Sequence, residues 1–139
     1  MRDQVILRVV AKITIPLILV FGIYVITHGE LGPGGGFQGG VILGAGFILY
    51  GLIFGVETLE QKIPPVVTDS AMAIGALLYA GTGLANMLAG GRFLDYSMLN
   101  LDRVGDAEAL GMTLVEYGVG ITVASVMVTI YTQIVESSK

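Results

Sequence analysis

No cysteine occurs anywhere in the 139 residues, which excludes disulfides, thiolate zinc sites and iron–sulfur ligation within the chain. Histidine is nearly absent as well: His28 stands alone, so the chain cannot by itself hold a haem between two imidazoles. Charge is scarce. Only 13% of residues are Asp, Glu, Lys or Arg, against about 25% in soluble domains. The balance is acidic, with a net charge of −4, and argues against a nucleic-acid partner. What remains is largely apolar: 54% of residues are hydrophobic and mean hydropathy is +0.83. A soluble fold this short cannot bury so much apolar surface. The composition predicts an all-α integral membrane protein, one compact unit whose first partner is the lipid bilayer.

Four apolar runs are expected to span the membrane: about 5–27, interrupted by Arg8 and Lys12; about 39–56, without a charge; about 70–88; and about 112–135, with Glu116 inside it. Each approaches the ~20 residues that a helix needs to cross ~30 Å of hydrocarbon. The runs are continuous rather than alternating, which excludes a β-barrel. The expectation is a single membrane domain over 1–139, a four-transmembrane-helix bundle. The first run has the basic residues and apolar core of a signal peptide but no small-residue cleavage site, and three more spans follow it.

The connections between the runs differ. The second, 57–69, contains Pro64-Pro65, which stops a helix and stiffens the turn. The third, 90–111, mixes charged with apolar residues, as suits a segment on the membrane surface or against a neighbouring subunit. Arg2, Arg8, Lys12, Lys62 and Lys139 would lie on one side of the membrane, Arg92 and Arg103 on the other. That bias places both termini in the cytoplasm.

The first connection, at residues 29–40, reads Gly-Glu-Leu-Gly-Pro-Gly-Gly-Gly-Phe-Gln-Gly-Gly. A phosphate cradle would need a strand before it and a Gly-Lys-Ser/Thr ending; an apolar helix pattern precedes this loop and no lysine follows. The loop instead suits a tight reversal at the membrane surface. Beyond it, Gly36, Gly40 and Gly44 form a stripe at four-residue spacing. Helices in lipid associate by close backbone packing, which small residues permit. The chain's 21 glycines exceed what one mutual contact would use, which suggests burial within a larger assembly; the competing reading is a self-contained bundle.

Glu116 is the sharpest polar feature. A carboxylate within hydrocarbon usually faces a wet cavity or a partner, although a helix starting near Met112 would leave it only one turn deep. Thr122, Ser125, Thr129 and Thr132 form a hydroxyl stripe centred roughly opposite Glu116, expected to bond back to their own helix carbonyls. Arg8 and Lys12, one turn apart, are expected to extend their heads to the interface, Lys12 being the better candidate for a place in an ion path. His28, beside Glu30, reads as a cap or an interfacial group.

His28-Gly29 followed by Pro33-Gly34-Gly35-Gly36-Phe37-Gln38-Gly39-Gly40, together with Glu116-Tyr117-Gly118-Val119-Gly120, resembles the two signatures of the B subunit of Mrp-type multisubunit sodium/proton antiporters. The likeness covers essentially the whole chain. It implies an accessory membrane subunit of an ion-translocating module, not catalytic alone, whose partners are the other membrane subunits. The host would be a stand-alone antiporter or the membrane arm of a hydrogen-evolving or sulfur-reducing complex. The resemblance makes Glu116, Lys12 and His28 candidates for lining or tuning an ion path, and Glu116 a candidate sodium ligand. A purely structural scaffold is the alternative.

Overall fold

In the computed structural model, residues 4–29, 34–94 and 104–138 are described, the side chains of 104–108 excepted. Pro33 of the hinge, with Glu30, lies outside the described residues. Five helices follow one another: α1 (Val5–Thr27), α2 (Gly36–Phe54), α3 (Val56–Lys62), α4 (Pro65–Leu88) and α5 (Val104–Ser137). Four of them, α1, α2, α4 and α5 from Ala109 onward, are long and apolar enough to cross a membrane, so the chain is an all-helical membrane protein.

Three of the four long helices, α2, α4 and α5, begin earlier than their apolar runs do. α4 starts at Pro65, where the missing N–H and fixed φ suit the first helical position; the two prolines start this helix as much as they end the one before. The polar residues Thr68 and Asp69 continue it without entering the apolar count. α5 is already helical at Val104, eight residues before the apolar run, so Glu116 is twelve residues from the start of the helix, about 18 Å along its axis.

The second connection holds α3. Val56, Leu59 and Ile63 share one face by their spacing of three and four, and Leu59 is only 1% exposed. Gly55, at φ +100°, makes the bend between α2 and α3.

The four long helices form a row, not a square. α1 packs on α2, α2 on α5 and α5 on α4, while α1 touches α5 only lightly and α2 and α4 have no substantial contact. Spatial order is therefore α1–α2–α5–α4, with α2 and α5 running parallel. The two inner helices each need two close-packing faces. On α2, Gly39 and Gly46 lie against α1: a Cβ on Gly39 would stand 2.8 Å from the Gly22 carbonyl oxygen, and one on Gly46 2.9 Å from the Leu19 side chain. Gly36, Gly40 and Gly44 turn to α5. On α5, Gly120 faces α2 and Gly118 faces α4, where a Cβ would stand 2.9 Å from the Gly75 carbonyl oxygen. Much of the surplus of small residues is thus used inside the chain, two faces per inner helix. Counting glycines does not by itself argue for partners.

Candidate functional site at the glycine hinge

The hinge returns the chain onto the end of α1. The His28 N–H donates to the Tyr24 carbonyl at 3.0 Å and closes α1; the Gly35 N–H donates to the Val25 carbonyl at 3.3 Å and pins the far side of the loop to the same turn. Gly35 caps α2 at φ +134°, a conformation that side chains disfavour. Gly34 also lies close to α1, where a Cβ would be 3.2 Å from the Val25 carbonyl oxygen. Phe37, on the first turn of α2, points outward and is 61% exposed.

Onto this reversal comes Glu116 of α5. A Cβ on Gly29 would overlap the Glu116 carboxylate, lying 2.7 Å from its Oε2; one on Gly35 would stand 3.4 Å from its Oε1. On Gly36 it would run into the Glu116 backbone carbonyl. Farther along, a Cβ on Gly40 would be 2.7 Å from the Gly120 carbonyl oxygen, and one on Gly44 3.0 Å from Met127 Cβ. The glycine stripe is therefore the α2 side of the α2–α5 contact, and its first turn abuts the acid. The Gln38 side-chain oxygen is also near, 3.5 Å from the Cβ position of Gly35. Glu116 is half-buried beside the N-terminus of α2, where unpaired N–H groups and the helix dipole favour a negative charge.

The other sequence candidates are distributed unequally. His28 is at the same end of the layer, exposed, with its ring stacked on Tyr24 at 4.9 Å between centroids. Lys12 is exposed near the opposite end of α1, sixteen residues and about 24 Å from His28 along the axis. The structure brings Glu116 and the hinge together and leaves Lys12 apart. Thr122 donates to the Gly118 carbonyl at 2.8 Å and Thr132 to the Thr129 carbonyl at 3.0 Å; Thr122 faces Gly75 of α4, away from the acid's neighbours. Among the described residues no group of three or more His, Cys, Asp or Glu side chains could hold a metal ion.

Sequence reasoning did not single out Gly29 and Gln38 as neighbours of Glu116. A signal was present: Gly36 and Gly40 match Glu116 and Gly120 at the same spacing of four, the register of two parallel helices in close contact. It also passed over Asn86 near the end of α4, which is 0% exposed and whose amide finds no partner among the described residues.

A family profile described as a domain related to the MnhB subunit of Na+/H+ antiporter matches residues 6–129. The chain is 36% identical over 131 residues to the protein assigned as antiporter subunit mnhB2 in Staphylococcus haemolyticus, covering 93% of this chain and 92% of that one. Its counterparts of the same name in Staphylococcus aureus and Staphylococcus epidermidis are 36% and 35% identical, with the same coverage. Both motifs that meet at the acid, the hinge and the glutamate with its Gly-x-Gly, fall within the matched region. The chain belongs to the MnhB family of Na+/H+ antiporter subunits.

Proposed function

We propose that this subunit contributes to ion translocation in a multisubunit Na+/H+ antiporter module, with Glu116 as the group nearest the ions. The observation that carries the reading is the seating of its carboxylate directly against Gly29 and Gly35 of the hinge. A cation arriving there would meet the carboxylate with the Gln38 amide oxygen close by, both hard oxygen donors suited to sodium. A single row of helices has no interior to line a pore, so the rest of the path belongs to neighbouring subunits. His28 sits beside this mouth as a tuning group; Lys12, at the other end of α1, is outside it. Both termini face the cytoplasm on the lysine and arginine bias, which puts the hinge on the outer side. The host is a stand-alone antiporter or the antiporter-like arm of a hydrogenase-type complex, and the two are distinguished by which subunits co-purify.

The test is transport per assembled complex in membrane vesicles. Glu116→Gln keeps size and shape, so assembly is expected to persist while sodium-dependent or proton-coupled flux falls by roughly tenfold or more, equivalent to about 1.4 kcal/mol of lost ion stabilisation. Glu116→Asp should keep part of the flux. Wild-type flux with glutamine at this position would assign the acid to helix packing and leave the scaffold role.

A further inference from the structure

A second chemically organised feature lies at the opposite end of the layer, where α1 begins, α2 ends and α3 crosses. Arg8, Lys12, Ile15 and Leu19 follow one another on α1 at spacings of four, three and four, a single face that is cationic for one turn and apolar for the next two. Opposite them α2 presents Phe47, Tyr50 and Phe54, again one face. Between the two helices lies a cavity lined by Arg8, Lys12, Tyr50 and Phe54. A second cavity, which shares Tyr50, continues between Ile15, Leu19 and Phe47 beneath Ile63, with exposed Lys62 also in its wall. The Arg8 guanidinium carbon stands 5.4 Å from the Phe54 ring centroid, and its buried Nε–H has no partner among the described residues. The acids of α3, Glu57 and Glu60, line neither cavity.

The groove is thus graded. Two cations, Arg8 and Lys12, line the cavity where α1 begins and α2 ends, and toward the interior the lining is apolar apart from Lys62 at its wall. Arg8 to Leu19 covers eleven residues, about 17 Å along the helix, close to the ~15 Å of one leaflet's hydrocarbon. A carboxylate from a neighbouring helix would complement the cations but leave the slot below unfilled. A molecule with an anionic head and a long apolar tail complements both parts.

We infer that this groove is a binding site for an anionic phospholipid, with the phosphate held by Arg8 and Lys12 and an acyl chain lying along Ile15, Leu19 and Phe47 against Tyr50. Tyr50, shared by the two cavities, stands at the headgroup boundary, where amphipathic rings are favoured. The site is independent of Glu116: it lies at the other end of the layer and neither reading requires the other.

The experiment uses the gently extracted host complex, delipidated in detergent and titrated with phosphatidylglycerol or phosphatidylcholine, with retained lipid counted by native mass spectrometry. Wild type is expected to retain phosphatidylglycerol in preference to phosphatidylcholine, and glycerophosphate, which carries the head without the chains, should not displace it. Arg8→Gln and Lys12→Gln should each weaken retention roughly fivefold, the effect of one surface cation on an anionic lipid. Arg8→Lys should largely preserve it. Equal retention of the two lipids by wild type would overturn the site even if no variant assembles. So would undiminished phosphatidylglycerol binding in the variant that carries both Arg8→Gln and Lys12→Gln. A third contrary result is a complex that holds neither lipid at the groove and that the glutamine variants break apart in every lipid, which would place a partner's carboxylate there.

Discussion

Glu116 and the glycines around it separate two kinds of close contact. At Gly36 the obstacle to a side chain is backbone, the Glu116 carbonyl, which cannot move without displacing α5. Gly36→Ala is therefore expected to destabilise the α2–α5 contact by about 1–3 kcal/mol and to lower complex yield on a native gel. At Gly29 the obstacle is the carboxylate, the far end of a flexible side chain. Gly29→Ala should leave yield near wild type and reduce flux, because the acid must leave its seat. Gly81 supplies the control: a Cβ there meets nothing within 4 Å, so Gly81→Ala should change neither readout. Equal loss of yield at all three positions would mean that general helix perturbation, not the α2–α5 seam, sets assembly.

Elements were legible in the sequence to the extent that hydropathy defined them. α1 matches its apolar run from Val5 to Thr27 because it is apolar almost throughout. α4 and α5 extend beyond their runs because polar residues close to the membrane surface sustain a helix without contributing to hydropathy. α3 was not foreseen: at seven residues it is too short to give a clear period, and only its packing makes it a helix. Leu59, buried under α2 beside Gly51, anchors it. Leu59→Ala is expected to cost about 2–5 kcal/mol, read as a lower melting temperature of the purified complex, whereas Glu60→Ala on the same helix should not. The candidate site was half legible. Each motif was visible alone, but their meeting depends on which two helices are neighbours, and hydropathy is silent about neighbours.

For the whole molecule, the row of helices separates two ends about 24 Å apart along α1, one with the acid and the hinge, the other with Arg8, Lys12 and Lys62. The absence of native cysteine gives a labelling test of orientation free of background from this chain. Glu30→Cys should react with an impermeant reagent in intact cells, and Lys62→Cys only after permeabilisation; the reverse pattern would invert the subunit in the bilayer. The row also has an order in time. α5 occupies the place between α2 and α4 yet is synthesised after both of them. Until it emerges, α2 carries a bare glycine face and α4 has no substantial neighbour among the helices made before it. A chain paused at that stage is two separate pieces in the membrane, open to wrong pairings, and the arrival of the final span joins them in the same event that brings Glu116 to the hinge.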